Sequence, residues 1–141
     1  MQNDMQEVFG NPTSIYTRRQ AIEDGLLVQL SGPGYEGDPW VPVMVREAGL
    51  SVPVAITATA FNAYVWPVDD PAAVATLEAY GQDIRGRLWD VLWMMQFGHD
   101  SERRFFFVWN KGRKRRVELK CVVGPDDDGS PCLTIMLLGE D

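Results

Sequence analysis

Residues 82–97 read QDIRGRLWDVLWMMQF, the longest stretch of the chain that keeps a helical hydrophobic period without a break. Ile84, Leu88, Val91, Leu92 and Met95 recur at the spacing that lines one face of a 3.6-residue helix. Trp89, Trp93 and Phe97 form a second apolar row beside the first. A helix apolar over so much of its circumference is covered on more than one side, so the stretch predicts the central helix of a small domain. Asp83, Arg87 and Asp90 are spaced to pair along one stripe of it. Were Asp90 turned instead toward a cleft beside Trp89 and Trp93, it would be the group to hold a cation or a base edge. The tryptophan pair itself reads as core.

Upstream, residues 1–14 are polar and broken by Gly10 and Pro12, a frayed lead-in to a single domain spanning residues 15–141. Thr17 and Gln20 have the spacing of a capping box and open a short helix through Asp24, stopped by Gly25. Residues 26–30 predict a first strand, and SGPGYEGDP at 31–39 a loop. Asp38 with Pro39 predicts the cap and first turn that open a short helix carrying residues 43–48, with Pro42 near its start and Gly49 ending it. Pro53 is expected to begin a helix with Ala55, Ala58, Phe61 and Val65 on one face, although β-branched Val54, Ile56, Thr57 and Thr59 favour strand. Asp70 and Pro71 form another cap pair, for PAAVATLEAY.

Downstream the period changes. Residues 104–109 (RFFFVW), 115–123 and 133–138 (LTIMLL) predict three antiparallel strands, with turns at 110–112 and in GPDDDGSP. The fold class is therefore α+β: a three- to four-stranded antiparallel sheet, made of a C-terminal meander and the early strand, packed by several helices. A chain of 141 residues, 45% of them hydrophobic, suffices for one core. With neither a spanning apolar run nor a signal peptide, the expected location is the cytoplasm, with no membrane partner. Cys121 and Cys132 fall in one predicted hairpin, where reduced thiols are expected and a bridge stays open.

The net charge of −7 is unevenly spread. Residues 1–102 carry fourteen acidic against five basic residues, residues 103–120 eight basic against one acidic, and residues 121–141 five acidic and no basic one. An acidic body with one basic strip argues against a protein that coats DNA. The strip comprises Arg103, Arg104, Lys111, Arg113, Lys114, Arg115, Arg116 and Lys120, interleaved with Phe105, Phe106, Phe107 and Trp109. Rings that stack and guanidinium groups that meet phosphate would suit single-stranded nucleic acid or a nucleotide. The same charges would also keep an edge strand from pairing, or meet a partner's acidic surface. Asp126, Asp127 and Asp128 form a possible acidic patch. Three consecutive carboxylates cannot all face one ion and lack the alternate spacing of a calcium loop, so a turn is expected and no metal or cofactor. His99 reads as a helix C-terminal residue, with no sequence warrant for a Cys and His nucleophilic pair.

Three stretches, TRRQAIEDGLLVQL (17–30), GRLWDVLWM (86–94) and VELKCVVGPDDDGSPCLTIML (117–137), together resemble a domain-of-unknown-function family of small proteins from bacterial genomes, plasmids and phages. The resemblance covers about residues 15–138. It implies a mobile-element accessory protein, and by analogy a non-enzymatic inhibitor of a host defence complex, of the anti-CRISPR or anti-restriction type. Its partner would be a host nuclease or surveillance complex, met by protein contact. The alternative is a nucleic-acid or nucleotide-binding accessory protein that uses the basic hairpin at 103–120, and an enzyme with a polar pocket is the third expectation.

Overall fold

The computed structural model describes residues 16–95, 104–110 and 114–140, with backbone alone for 104–110, 114 and 115. The lead-in, His99, Phe97, Arg103, Lys111 and Arg113 lie outside the described residues. Helix α1 (Arg18–Glu23) starts on the predicted box, with the Thr17 hydroxyl accepting from the Gln20 amide and the Gln20 side chain from the Thr17 amide. Gly25, at φ +79°, ends it and turns the chain into β1 (Leu27–Gln29). Helix α2 (Trp40–Glu47) opens directly after the Asp38–Pro39 pair, with Pro42 in its first turn. Its first turn is not capped by Asp38: Pro39 is the cap residue and no side chain bonds the free amides.

The predicted helix from Pro53 is overturned. Val54–Thr57 is strand β2, and helix continues only as the short α3 (Ala58–Ala60) and a π-turn (Phe61–Val65), closed by the Trp66 amide on the Phe61 carbonyl. Two local facts explain this. β-branched side chains at Val54, Ile56 and Thr57 favour the pleat, and Pro53, which has no amide to donate, offers its carbonyl to the Leu133 amide at 2.8 Å. Helix α4 (Pro71–Ala79) carries the predicted Asp70 cap, and Asp83 caps α5 (Ile84–Met94) through the Gly86 amide.

Strands β3 (Arg104–Asn110), β4 (Lys114–Pro125) and β5 (Pro131–Leu137) form the expected meander. The sheet is five-stranded in the order β1-β2-β5-β4-β3, and it is mixed, because β2 runs parallel to β5 with Val54 level with Leu133 and Ile56 with Ile135. The purely antiparallel sheet of three or four strands is thereby corrected. The missing strand was the one read as helix, and it is the link between β1 and the meander.

The core lies between this sheet and the helices. Leu88, Val91, Leu92 and Met95 of the predicted stripe are each 1% exposed or less and meet Val54, Ile56, Leu119, Cys121 and Ile135 of the sheet, with Val41, Val45 and Phe61 filling in. The alternate positions Ala55, Cys132 and Met136 are buried too. Central strands covered on both faces read as unbroken apolar runs, as LTIMLL does.

Candidate functional site

Within the described residues, the ladder sets one aromatic of the strip level with a basic residue, Trp109 with Arg115; Val108 is level with Arg116, Asn110 with Lys114 and Arg104 with Lys120, while Phe105, Phe106 and Phe107 are level with Leu119, Glu118 and Val117. β3 lies at the sheet edge. Arg116 is exposed, whereas Lys120 is 8% exposed, so the strip is not one continuous solvated face.

The aspartate turn is built into the fold. Asp127 accepts from the backbone amides of Arg18 and Arg19 at 2.9 and 3.0 Å, so it caps α1 from more than a hundred residues away. Asp126 receives the Asp127 amide, and Asp128 receives both the hydroxyl and the amide of Ser130. Those two bonds hold the Asp128 carboxyl below its ordinary range. Arg18 completes the latch, its guanidinium donating to Thr134 Oγ1 and the Leu133 carbonyl.

Arg87 is turned in from the surface of the expected stripe, although the Asp90 charge still acts on it. It is 4% exposed and turned inward, with Nε donating to the Val65 carbonyl at 2.7 Å, Nη2 to Tyr64 at 2.8 Å and Nη1 to Gln82 Oε1 at 3.2 Å. These carbonyls end the π-turn, where no further helical turn supplies amides, and a cation suits the negative end of the helix. Burial lowers the Arg87 pKa while Asp90 acts against that. Asp90 itself presents an exposed side chain, yet the packed surroundings at its base push its pKa up, with Arg87 pulling it down. The Trp89 and Trp93 rings stack at 5.6 Å and 25°, but Trp93 is 43% exposed, so this row is half surface rather than core.

The two cysteines do not form a disulfide, and the ladder explains why: Cys121 is level with Ile135 and Cys132 with Gly124, at positions that alternate between the two faces. Among the described residues no group of three or more His, Cys, Asp or Glu is placed to share a metal ion. Nor is any helix among them long and apolar enough to cross a membrane.

The feature that sequence reasoning missed is a cleft of about 400 Å³ walled by α1, β1, the 31–39 loop, α2, the π-turn and α5. The loop is held in place at several points. Pro33 O accepts from Arg19 Nη2 at 3.1 Å and Gln29 Nε2 at 3.0 Å, and the Tyr35 hydroxyl donates to the Asp38 carbonyl. Gly32 sits at φ +103°, where an added Cβ would lie 2.6 Å from Pro53 Cβ. Tyr35 lines the cleft, and burial, helped by Asp38, raises its phenol pKa. The signal available in the sequence was Tyr35 and Trp40 set in and beside a Gly- and Pro-rich loop.

A second structural fact bears on charge. All ten acidic residues between 16 and 95 are exposed, whereas Arg18, Arg19 and Arg87 are wholly or partly buried and hydrogen-bonded within the fold. Arg46 and Arg85 are the exposed cations in that range, and Arg85 lies over the Trp40 ring. Searches against family profiles, curated proteins and solved structures return no match.

Proposed function

We propose that this protein works by binding a partner protein through its acidic body. The most concrete form of that reading is a mobile-element inhibitor of a host defence nuclease or surveillance complex. The observation that supports it is the segregation of charge: ten exposed carboxylates against two exposed guanidinium groups over residues 16–95. A surface of one sign steers and holds a partner of the other, and it repels nucleic acid. The basic groove of a nucleic-acid-handling complex has the complementary sign, so an acidic competitor would exclude its nucleic acid.

The test is recovery from nuclease-treated bacterial lysate, followed by nucleic-acid binding measured on the purified partner with increasing amounts of this protein. Displacement that weakens with salt and with charge-neutralised exposed acids is expected. A partner whose nucleic-acid binding is unchanged at saturation overturns the reading. The second reading, nucleic acid on the hairpin, draws on the level pairing of Trp109 with Arg115 and on exposed Arg116. It predicts retention of single-stranded oligonucleotide that falls steeply with salt and is lost when Arg113, Lys114, Arg115 and Arg116 become Ala.

A further inference from the structure

The cleft under the 31–39 loop combines three kinds of surface in one cavity. Its floor is hydrocarbon, with Leu30, Val41, Phe61 and Leu88 each 9% exposed or less. Glu23, Glu36 and Asp38 are exposed on its rim, against one guanidinium, Arg19, already bonded to the Pro33 carbonyl. Between rim and floor lie the rings of Tyr35 and Trp40. Trp40 already receives a cation: the Arg85 guanidinium carbon is 4.7 Å from its ring centroid, inside the range of a cation–π contact.

Carboxylates above, aromatic faces at the wall and hydrocarbon below match a positive charge carried on an apolar stem. The acids balance the charge, a ring meets the face of the cation, and the floor takes the stem. An anion would meet three carboxylates, and a plain hydrocarbon would leave the rim unused. We propose that this cleft binds an organic cation with an apolar stem, such as an arginine- or lysine-type side chain or a small quaternary amine. A volume of about 400 Å³ accommodates one such group. The inference stands apart from the acidic-body reading, because a free probe molecule tests it without any partner.

Arg85 makes the proposal discriminating. It does not line the cleft, but as a cation on the Trp40 ring it places a like charge beside any cation that reaches that ring, so removing its charge should strengthen binding. A cleft that is merely a packing feature gives no such gain.

The test is a titration of the isotope-labelled full chain, followed by NMR, with N-acetyl-arginine methyl ester, its lysine counterpart, choline, and blocked norleucine as a neutral isostere. Saturable shifts centred on the Trp40 indole and the Tyr35 amide are expected with the cations, and markedly weaker ones with norleucine. Glu36→Gln combined with Asp38→Asn should weaken cation binding about two- to fivefold, and Arg85→Gln should strengthen it by a similar factor. Tightest binding by choline would identify a small quaternary amine as the occupant, and tightest binding by a blocked amino acid would identify a partner's side chain. Absence of saturable shifts at Trp40 with every cation overturns the proposal, as does equal binding of norleucine or indifference to both sets of substitutions.

Discussion

Replacing Arg87 by methionine removes the guanidinium but keeps most of the stem, which isolates what the charged head does. Val65 and Tyr64 carbonyls would each lose their donor at the end of the π-turn. A buried carbonyl that loses its donor costs about 1–3 kcal/mol; the Val65 contact is buried and the Tyr64 contact part-buried, so the two together set roughly 2–5 kcal/mol. Working against that, the variant is relieved of the cost of burying a charge, a cost that shows in the lowered Arg87 pKa. The carbonyls belong to the backbone and stay wherever the side chain goes, so the loss should win, at about 2–4 kcal/mol net. For a chain of this size that corresponds to a fall in Tm of about 6–12 °C. Arg87→Lys, with one ammonium in place of a forked donor set, should fall between the two. Urea denaturation followed by tryptophan fluorescence measures the difference. A methionine variant within about 1 kcal/mol of the parent, at unchanged m-value, would refute the claim that Arg87 secures the π-turn.

Three further outcomes are expected. Asp127→Ala should cost about 1–2 kcal/mol and raise amide exchange selectively in α1, because two of its first amides lose their acceptor; uniform exchange across the fold would count against the cap. Gly32→Ala should destabilise the 31–39 loop, since the new methyl meets Pro53 and φ is +103°; an unchanged melting curve would contradict this. Asp90 has a raised folded-state pKa, so the native state holds its proton more tightly than the unfolded chain does. Its contribution to stability is therefore present at acid pH and lost as pH rises through the folded pKa, and Asp90→Asn should be at least as stable as the parent at neutral pH and should flatten the pH dependence between the ordinary carboxylate pKa and the raised folded one. A neutral-pH loss of stability in that variant would show the Arg87 attraction to be the stronger effect.

The parts of the fold legible in the sequence are those written in local spacing. The stripe from Ile84 to Met95, the Thr17 and Gln20 box and the Asp70 cap each depend on residues within one or a few turns of one another, and each stands where the pattern puts it. Residues 53–65 show the opposite case. Ala55, Ala58, Phe61 and Val65 do fit a helical face, but pairing with β5 draws the first part into the sheet, a contact across nearly eighty residues that no window can contain. Asp127 looked like part of an acidic patch because its partners, the amides of Arg18 and Arg19, are equally remote. The cleft was invisible for the same reason: six segments build it, and only the loop's composition hinted at a special turn. For the basic strip, the sequence reading of a hairpin holds in the backbone ladder.

The parallel alignment of β2 with β5 also has a kinetic consequence. The meander β3-β4-β5 closes through short connections and is expected to assemble early, whereas the β1–β2 pair must wait for β5, from the far end of the chain, before it joins the sheet. Loop-closure entropy is lost before that contact is rewarded. A nascent chain released before β5 emerges would therefore leave the β5-facing edge of Val54–Thr57 uncovered, open to association with other copies until the last strand arrives.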